Sequence, residues 1–489
     1  MKKYALFAVY GLMFLLFLFK MFYYREELYY VPDEEAHISY LAYIEENPSR
    51  WIPEFENMGL CEGGLYSEKG IYQYVINDRT CYLGHPPLYY RLIHLIGGIV
   101  TEESAGGHYV YVNLDRFKTA NIYLTGLVMI LIFYIGYTRL GKFTESLIWH
   151  GLYAAAAVSV PMLALCGSGI TNDNLANLGV AVFMLGVLRY YEKKKGYLTY
   201  FLVAAGFFLS IMSKLTVGEF IVIMLIIIFI ADVIRNKNLG LIWNRYFLAT
   251  LPVYILAGSY FVILLLRYGS IQPGLDMVAP QEQSFVAEAE RAAMTFFSYI
   301  PYFFRQFGYT WTGIYNGRFY DFKMLDVWEG RVFLWLLYAP FLFAAGAGIE
   351  ALRKKRFGIQ KKAASPYCIV YAAAAAGLFI TIVTQFFKGY ESFTTRGYMG
   401  GYQARYYLCD IPLMALAMAE GVYRISEINP YRLLVFCREK CPVIRTKKEI
   451  REERCAAVFR TAVKAIGIIL IFLLLYGDFI YFLSVHNSY

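Results

Sequence analysis

Apolar residues run along this chain in long blocks, separated by short polar stretches. Blocks of about 18 or more apolar residues read as membrane-spanning helices. They fall at 4–22, 117–138, 147–167, 174–191, 197–213, 216–234, 246–267, 331–350, 367–387, 404–423 and 462–484. The pattern predicts an all-α polytopic membrane protein of about eleven transmembrane helices, one transmembrane domain over residues 1–489. Lys2 and Lys3 resemble the start of a signal peptide. No small-residue cleavage site follows in Met21-Phe22-Tyr23-Tyr24, so 4–22 is read as an anchor.

The polar stretches set the orientation. Basic residues cluster at Arg139 and Lys142, at Lys193, Lys194 and Lys195, at Arg235, Lys237 and Arg245, over 353–362, and over 424–461 with Lys447 and Lys448. With Lys2 and Lys3 inside, the span count places every one of these loops inside and the C-terminus outside. Two large loops then lie outside, roughly 23–116 and 268–330, with a shorter one at 388–403. Segment 86–100 is too short to span, since fifteen residues rise about 22 Å against a hydrocarbon core of about 30 Å. It carries Arg91 and His94 and ends in a glycine pair. It is read as an interfacial helix on the outer leaflet, begun by Pro86 and Pro87. The basic segment 424–461 is predicted as a surface helix on the anionic inner leaflet.

Composition refines this picture only slightly. The 489 residues are 58% hydrophobic and 18% aromatic, and the net charge of +9 sits in loop clusters rather than in a nucleic-acid-binding patch. The 46 tyrosines and 38 phenylalanines fit interfacial belts and bundle packing. Cys61 and Cys81 share the first outer loop and either pair as a disulfide or stand as two thiols. Cys437, Cys441 and Cys455 form at most a weak zinc pattern on the inner side.

Candidate chemistry gathers outside. Val31-Pro32-Asp33-Glu34-Glu35-Ala36-His37 puts three carboxylates and an imidazole just past the first span, where ionisable groups are costly and tend to be functional. On a helix, Asp33 and His37 share a face. A carboxylate at a low-dielectric interface suits a general base; the plain alternative is a solvated helix end. Gly84-His85-Pro86-Pro87-Leu88-Tyr89-Tyr90 follows in the same loop. His85 beside a helix start suits a phosphate, and loop punctuation explains the same residues equally well. Cations form the complementary set: Arg116 opening the second span, Lys214 in the short hairpin Ser213-Lys214-Leu215-Thr216, and Arg405 in Gly401-Tyr402-Gln403-Ala404-Arg405-Tyr406-Tyr407. Arg267, Arg305, Arg318 and Arg396 are further candidates. Arginine binds phosphate with paired hydrogen bonds, while any one of these cations also fits interfacial snorkelling. Thr171-Asn172-Asp173-Asn174 is read first as the N-cap of the fourth span and second as a polar contact to substrate. The chain carries no Walker loop, no His-Glu-x-x-His and no nucleophile elbow, so any donor must arrive activated.

In order along the chain, these motifs resemble the GT-C superfamily of membrane glycosyltransferases. Pro32-Asp33-Glu34-Glu35-Ala36-His37 resembles its acidic motif after the first helix. His85-Pro86-Pro87-Leu88 is similar to a motif of protein O-mannosyltransferases, and related aminoarabinose transferases carry a lysine where His85 stands. Arg116, Asn172-Asp173, Ser213-Lys214-Leu215-Thr216 and Gln403-Ala404-Arg405-Tyr406 resemble further features of bacterial relatives, with Ala404 replacing a usual glycine. The resemblance implies a GT-C-like bundle with outer-face juxtamembrane helices. It also implies inverting transfer of a sugar from a polyprenyl-phosphate donor to a glycan, lipid or protein acceptor, without nucleic acid. By that likeness Asp33 is the base, with Glu34 next. His37, His85, Arg116, Asp173, Lys214, Arg405 and Tyr406 would contact substrate. Some relatives use a divalent cation, Mg or Mn, for which Asp33, Glu34 and His37 are conceivable ligands. The loop at 268–330, with Tyr309-Thr310-Trp311 and Tyr315, would form an acceptor wall.

A transporter or a non-catalytic assembly protein of the cell envelope is the rival reading. Transporters usually place charges mid-span in repeated halves. Here they gather at span ends beside large loops, and no repeat is visible.

Overall fold

The computed structural model describes residues 2–27, 31–273, 291, 293–312, 365–397, 400–427 and 445–486. Ten of the predicted spans fall on described helices; the span at 331–350 lies outside the described residues, as do Cys437, Cys441 and Arg318. In chain order the spanning elements are α1 (Lys2–Glu27), α4 (Leu114–Leu140), α5 (Leu147–Val158) with α6 (Pro161–Ser168), α7 (Asp173–Tyr191), α8 (Tyr197–Ile211), α9 (Leu215–Asn236), α10 (Arg245–Tyr268), α12 (Cys368–Arg396), α13 (Ile411–Ser426) and α14 (Arg445–His486). Between the first two lie α2 (Glu34–Glu46) and α3 (Leu88–His94), and α11 (Phe296–Thr312) precedes α12. Among the described residues six helices are long and apolar enough to cross a membrane, or seven if α5 and α6 count as one bent span. The chain is a polytopic, mostly helical membrane protein.

The predicted span at 147–167 is a helix pair bent by 52°. Proline at the first turn of α6 cannot donate to the preceding turn, so the ladder breaks between α5 and α6. Lys20 of α1 meets this break, donating to Val158 O at 2.6 Å and pairing with Asp478 of α14 at 2.7 Å. Both side chains are buried, so each charge depends on the other. Span 404–423 begins as a 3-10 turn, Ala404–Asp410, before α13. Residues 445–461, expected to lie on the inner leaflet, continue without a break into α14, a helix of 42 residues.

The first large loop holds an element the hydropathy pattern does not predict, a four-stranded antiparallel sheet. Its strands are β1 (Gly59–Glu68), β2 (Ile71–Thr80), β3 (Ile99–Ser104) and β4 (Gly107–Asn113), in the order β1-β2-β4-β3. The expected interfacial helix over 86–100 is corrected here. Only Leu88–His94 is helical; Gly97 and Gly98 take positive φ of 71° and 105°, and the chain then enters β3. Only glycine enters that region at little cost, so the pair ends the helix. Nor does α3 lie on the bilayer surface. Tyr89 and Tyr90 are fully buried in a second core, with Tyr40 of α2, Phe55 and Tyr260 of α10.

The two ends of the bundle differ in charge. Arg139, Lys142 and Lys194 all reach Glu192, with Arg139 at 2.9 Å and Lys142 at 2.8 Å, and Tyr367 donates to it at 2.8 Å. The loops that carry Arg139, Lys142 and Lys194 therefore share one end. The sheet, α2, α3, the α8–α9 hairpin and the start of α13 share the other.

Candidate active site

Asp33 precedes α2 as its N-cap, with φ 65° and ψ 15°. The left-handed region is disfavoured for a residue with a side chain, although aspartate tolerates it better than most. The conformation turns the carboxylate back toward the bundle. There it forms an ion pair with Arg405, which also donates to Pro32 O at 3.1 Å. Tyr82, at the end of the sheet loop, donates to the second carboxylate oxygen at 2.9 Å. The Arg405 side chain is 4% exposed and that of Asp33 is 25% exposed, so the acid faces an opening while the base pair partner is sealed behind it. Burial alone would push the Asp33 carboxyl up. The Arg405 guanidinium outweighs it, with His37 and the Tyr82 hydroxyl adding to the effect, and holds the group at about 2.

Next to this pair stands a second one. Lys214, between α8 and α9, reaches Asp173 at the start of α7 at 2.5 Å, both fully buried. The Lys214 ammonium and the Arg405 guanidinium lie 4.4 and 5.4 Å from the centre of the Tyr406 ring, so one aromatic ring serves both cations. The expected N-cap of the fourth span is not what Asn172 provides. Its side chain makes no cap bond and donates instead to Ser213 O at 2.8 Å, fixing the Lys214 hairpin to α7. Thr171 holds Asp173, donating to its carboxylate at 2.9 Å. Thr310 of α11 accepts from Ala404 N at 3.0 Å and donates to Tyr402 O at 3.1 Å, shaping the approach to Arg405. Arg396, Tyr309, Trp311 and Tyr315 have no described side chains.

His85 is half-buried, with its Nδ1 buried. Its backbone carbonyl accepts from Tyr40 at 2.9 Å, and its Nδ1 has no hydrogen-bond partner among the described residues. The same holds for Nε of Arg405. Burial first, and the Lys214 ammonium second, bring the His85 imidazole down to about 3. Two orphaned nitrogens, one of them a cation's spare donor, thus lie beside the Lys214–Asp173 and Arg405–Asp33 pairs.

Other sequence candidates lie apart from this cluster. Glu34 turns away from Asp33; it accepts from Ile170 N at 3.0 Å and pairs with Lys118 at 3.3 Å, and all of these groups are buried. His37 hydrogen-bonds Tyr90 at 2.8 Å and stacks on its ring, and burial brings it down to about 3 despite the Asp33 carboxylate nearby. It supports α2 against α3 rather than facing an opening. Arg116 is exposed at the start of α4, beside Gly97 and Gly98, and does not join the other cations. Arg267 pairs with Glu56 at 2.6 Å on the loop before β1. Asp33, Glu34 and His37 therefore point to three different partners, Arg405, Lys118 and Tyr90. They form no preassembled metal cradle, and among the described residues no group of three His, Cys, Asp or Glu side chains does so. Cys61 and Cys81 are both buried free thiols.

The sequence reading missed Lys118 and Tyr82. Lys118 had a signal, a cation inside an apolar block; Tyr82 had none.

No protein-family model matches the chain, and no curated protein matches it. Two solved structures are similar to it: ArnT from Cupriavidus metallidurans bound to undecaprenyl phosphate, and the same protein in the apo state. Each is 12% identical and covers 98% of this chain, with 75% and 74% of the ArnT chain covered and TM-scores of 0.44 and 0.45. A likeness at this level carries neither a residue correspondence nor a functional conclusion.

Proposed function

We propose that this protein is an inverting membrane glycosyltransferase of the GT-C kind. It moves a sugar from a polyprenyl-phosphate donor to an acceptor hydroxyl at the outer membrane face. The observation that carries the reading is the meeting of Asp33, Arg405 and Lys214 at one end of the bundle, around an aromatic floor, with Arg405 Nε and His85 Nδ1 unpartnered beside them. The gathering of the basic loops at the opposite end supports assigning that end to the cytoplasm and the site to the outside.

Arg405 and Lys214 bind the donor phosphate, and Arg405 exchanges part of its hold on Asp33 for a phosphate oxygen through its free Nε. That release raises the Asp33 carboxyl from its resting position and makes it a better base. The acceptor hydroxyl attacks the anomeric carbon from the face opposite the phosphate. Its proton passes to Asp33, the bond from anomeric carbon to phosphate oxygen breaks, and the polyprenyl phosphate departs as an anion held by the two cations. Glu34, neutralised by Lys118, holds the α6–α7 junction. A divalent metal, Mg or Mn, has no ready ligand set here, and no step is routed through one.

The test is turnover of a sugar-loaded polyprenyl phosphate by the purified protein in lipid. Release of free carrier that disappears in Asp33→Asn, with the variant still folded, supports the proposal. Unchanged release in that variant overturns the base.

A further inference from the structure

An apolar cavity lies at the opposite end from this site. About 370 Å³ in volume, it opens between α7, α8, α9 and α10 and is walled by Val187, Tyr190, Tyr200, Leu225, Ile228 and Phe247. That volume falls within the range of about 300–1,000 Å³ typical of small-molecule sites. Two of its wall tyrosines have bonded hydroxyls: Tyr190 donates to Asp232 at 2.9 Å and Tyr200 to Leu241 O at 3.1 Å. An apolar space of this kind between spanning helices suits hydrocarbon.

The rim is cationic. The Lys195 ammonium stands 4.5 Å from the centre of the Tyr190 ring, so a wall residue itself seats a cation at the mouth. Across the mouth, Arg245 lies 5.0 Å from the Tyr246 ring, which packs against Tyr200 at 5.9 Å. Both cations are exposed, and neither forms an ion pair among the described residues. By contrast, Arg139 and Lys142 nearby are spent on Glu192. An apolar slot under two exposed cations without a carboxylate partner among the described residues matches an anionic lipid, because basic side chains near a membrane surface are drawn to acidic headgroups.

We propose that this cavity is a binding site for an anionic phospholipid of the leaflet at the basic end. One acyl chain fills the slot between α7 and α10, and the headgroup phosphate is held by Lys195 and Arg245. The site is separate from the candidate active site and does not depend on the activity proposed for it.

Full-length protein purified in mild detergent is given phosphatidylglycerol or phosphatidylcholine with identical acyl chains. Retained lipid is counted by native mass spectrometry, and thermal stability is followed in parallel. The expected result is a one-to-one phosphatidylglycerol adduct that raises the melting temperature. Lys195→Glu with Arg245→Glu, both at exposed positions, lowers its retention at least ten-fold, and Leu225→Trp, which fills the slot, removes it. Equal retention of phosphatidylcholine overturns the proposal, as does undiminished phosphatidylglycerol in the double charge variant. That variant keeps the test decisive if Leu225→Trp does not fold.

Discussion

Arg405 closes on Asp33 across 372 residues of chain, joining the start of the thirteenth helix to the turn after the first. The contact ties the two ends of the bundle's sequence at one point. It also sets the protonation of the acid, because the guanidinium holds the Asp33 carboxyl at about 2 although burial opposes this.

The first prediction concerns that acid. Asp33→Asn keeps the size of the side chain and its tolerance of a φ near 65°. It removes the negative charge that takes the acceptor proton in the proposed mechanism. Loss of a general base costs about 10²–10⁴-fold in rate. Carrier release should fall by that factor with the circular dichroism unchanged. Tyr82→Phe removes one hydrogen bond from the same carboxylate and should have a much smaller effect.

Glu34 tests which of the two adjacent acids is the base. Removing one partner of a buried ion pair costs about 3–5 kcal/mol. Glu34→Ala strands Lys118 and leaves Ile170 N without its acceptor, so the melting temperature should drop sharply. Activity per folded molecule should fall far less than in Asp33→Asn. The reverse ranking in a side-by-side assay would make Glu34 the base.

The Lys214–Asp173 pair tests the phosphate site. Asp173→Asn leaves a fully buried ammonium without its counter-charge and should destabilise by about 3–5 kcal/mol. Lys214→Met with Asp173→Leu removes both charges and should recover most of the stability. Donor binding should not recover, because the lost cation is the one proposed to meet the phosphate. Calorimetry against titration with polyprenyl phosphate separates the two effects.

Much of this was legible in the sequence for a physical reason. Apolar blocks are read directly by the bilayer, so α1, α4, α9, α10 and α12 fall where hydropathy places them. Asp33, Lys214 and Arg405 stood out because charges beside apolar blocks are costly. The sheet in the first loop was not legible, since β3 and β4 are short, β1 pairs with β2 in a broken register and none of the four forms a long apolar block. Nor was the break at Ser159, because Pro161 sits inside an otherwise continuous apolar run. Partner choice was also hidden. Whether Asp33 or its neighbour Glu34 meets Arg405, and which of them meets Lys118, depends on how the start of α2 is turned against α4, which only the assembled core decides.

Acid sensitivity follows from two imidazoles, the buried His37 and the half-buried His85. His37 and His85 both lie at about 3, well below an unfolded histidine near 6.5. Between these values the unfolded chain binds more protons than the folded one, so stability rises with pH across that window. The contribution is complete above about pH 6.5 and is lost progressively as pH falls toward 3. Asp33, depressed to about 2, adds a further loss only below its unfolded value of 3.8. Melting temperatures measured from pH 7 to pH 4 should therefore decline (~25 °C reference pKa values). His85→Gln, which cannot ionise, should flatten part of that slope without moving the plateau near neutrality by the same amount. An identical slope in His85→Gln and His37→Gln would place the acid sensitivity elsewhere.

Close helix contact makes the last prediction. A Cβ on Gly206 of α8 would stand 2.3 Å from Phe183 N, and one on Gly179 of α7 would stand 2.6 Å from Ser210 N. Both obstacles are backbone, which cannot swing aside as a side chain can. These glycines let α7 and α8 approach closely, as small residues do where helices pack within a membrane. Because α7 begins at Asp173 and α8 ends just before Lys214, spreading the pair pulls the two charges apart. Gly206→Ala should cost about 1–3 kcal/mol through overpacking and should weaken donor binding as well. Gly196→Ala is the control, since nothing lies within 4 Å of its added carbon. Loss of stability with unchanged donor affinity in Gly206→Ala would show that the hairpin holds Lys214 in place independently of the helix contact.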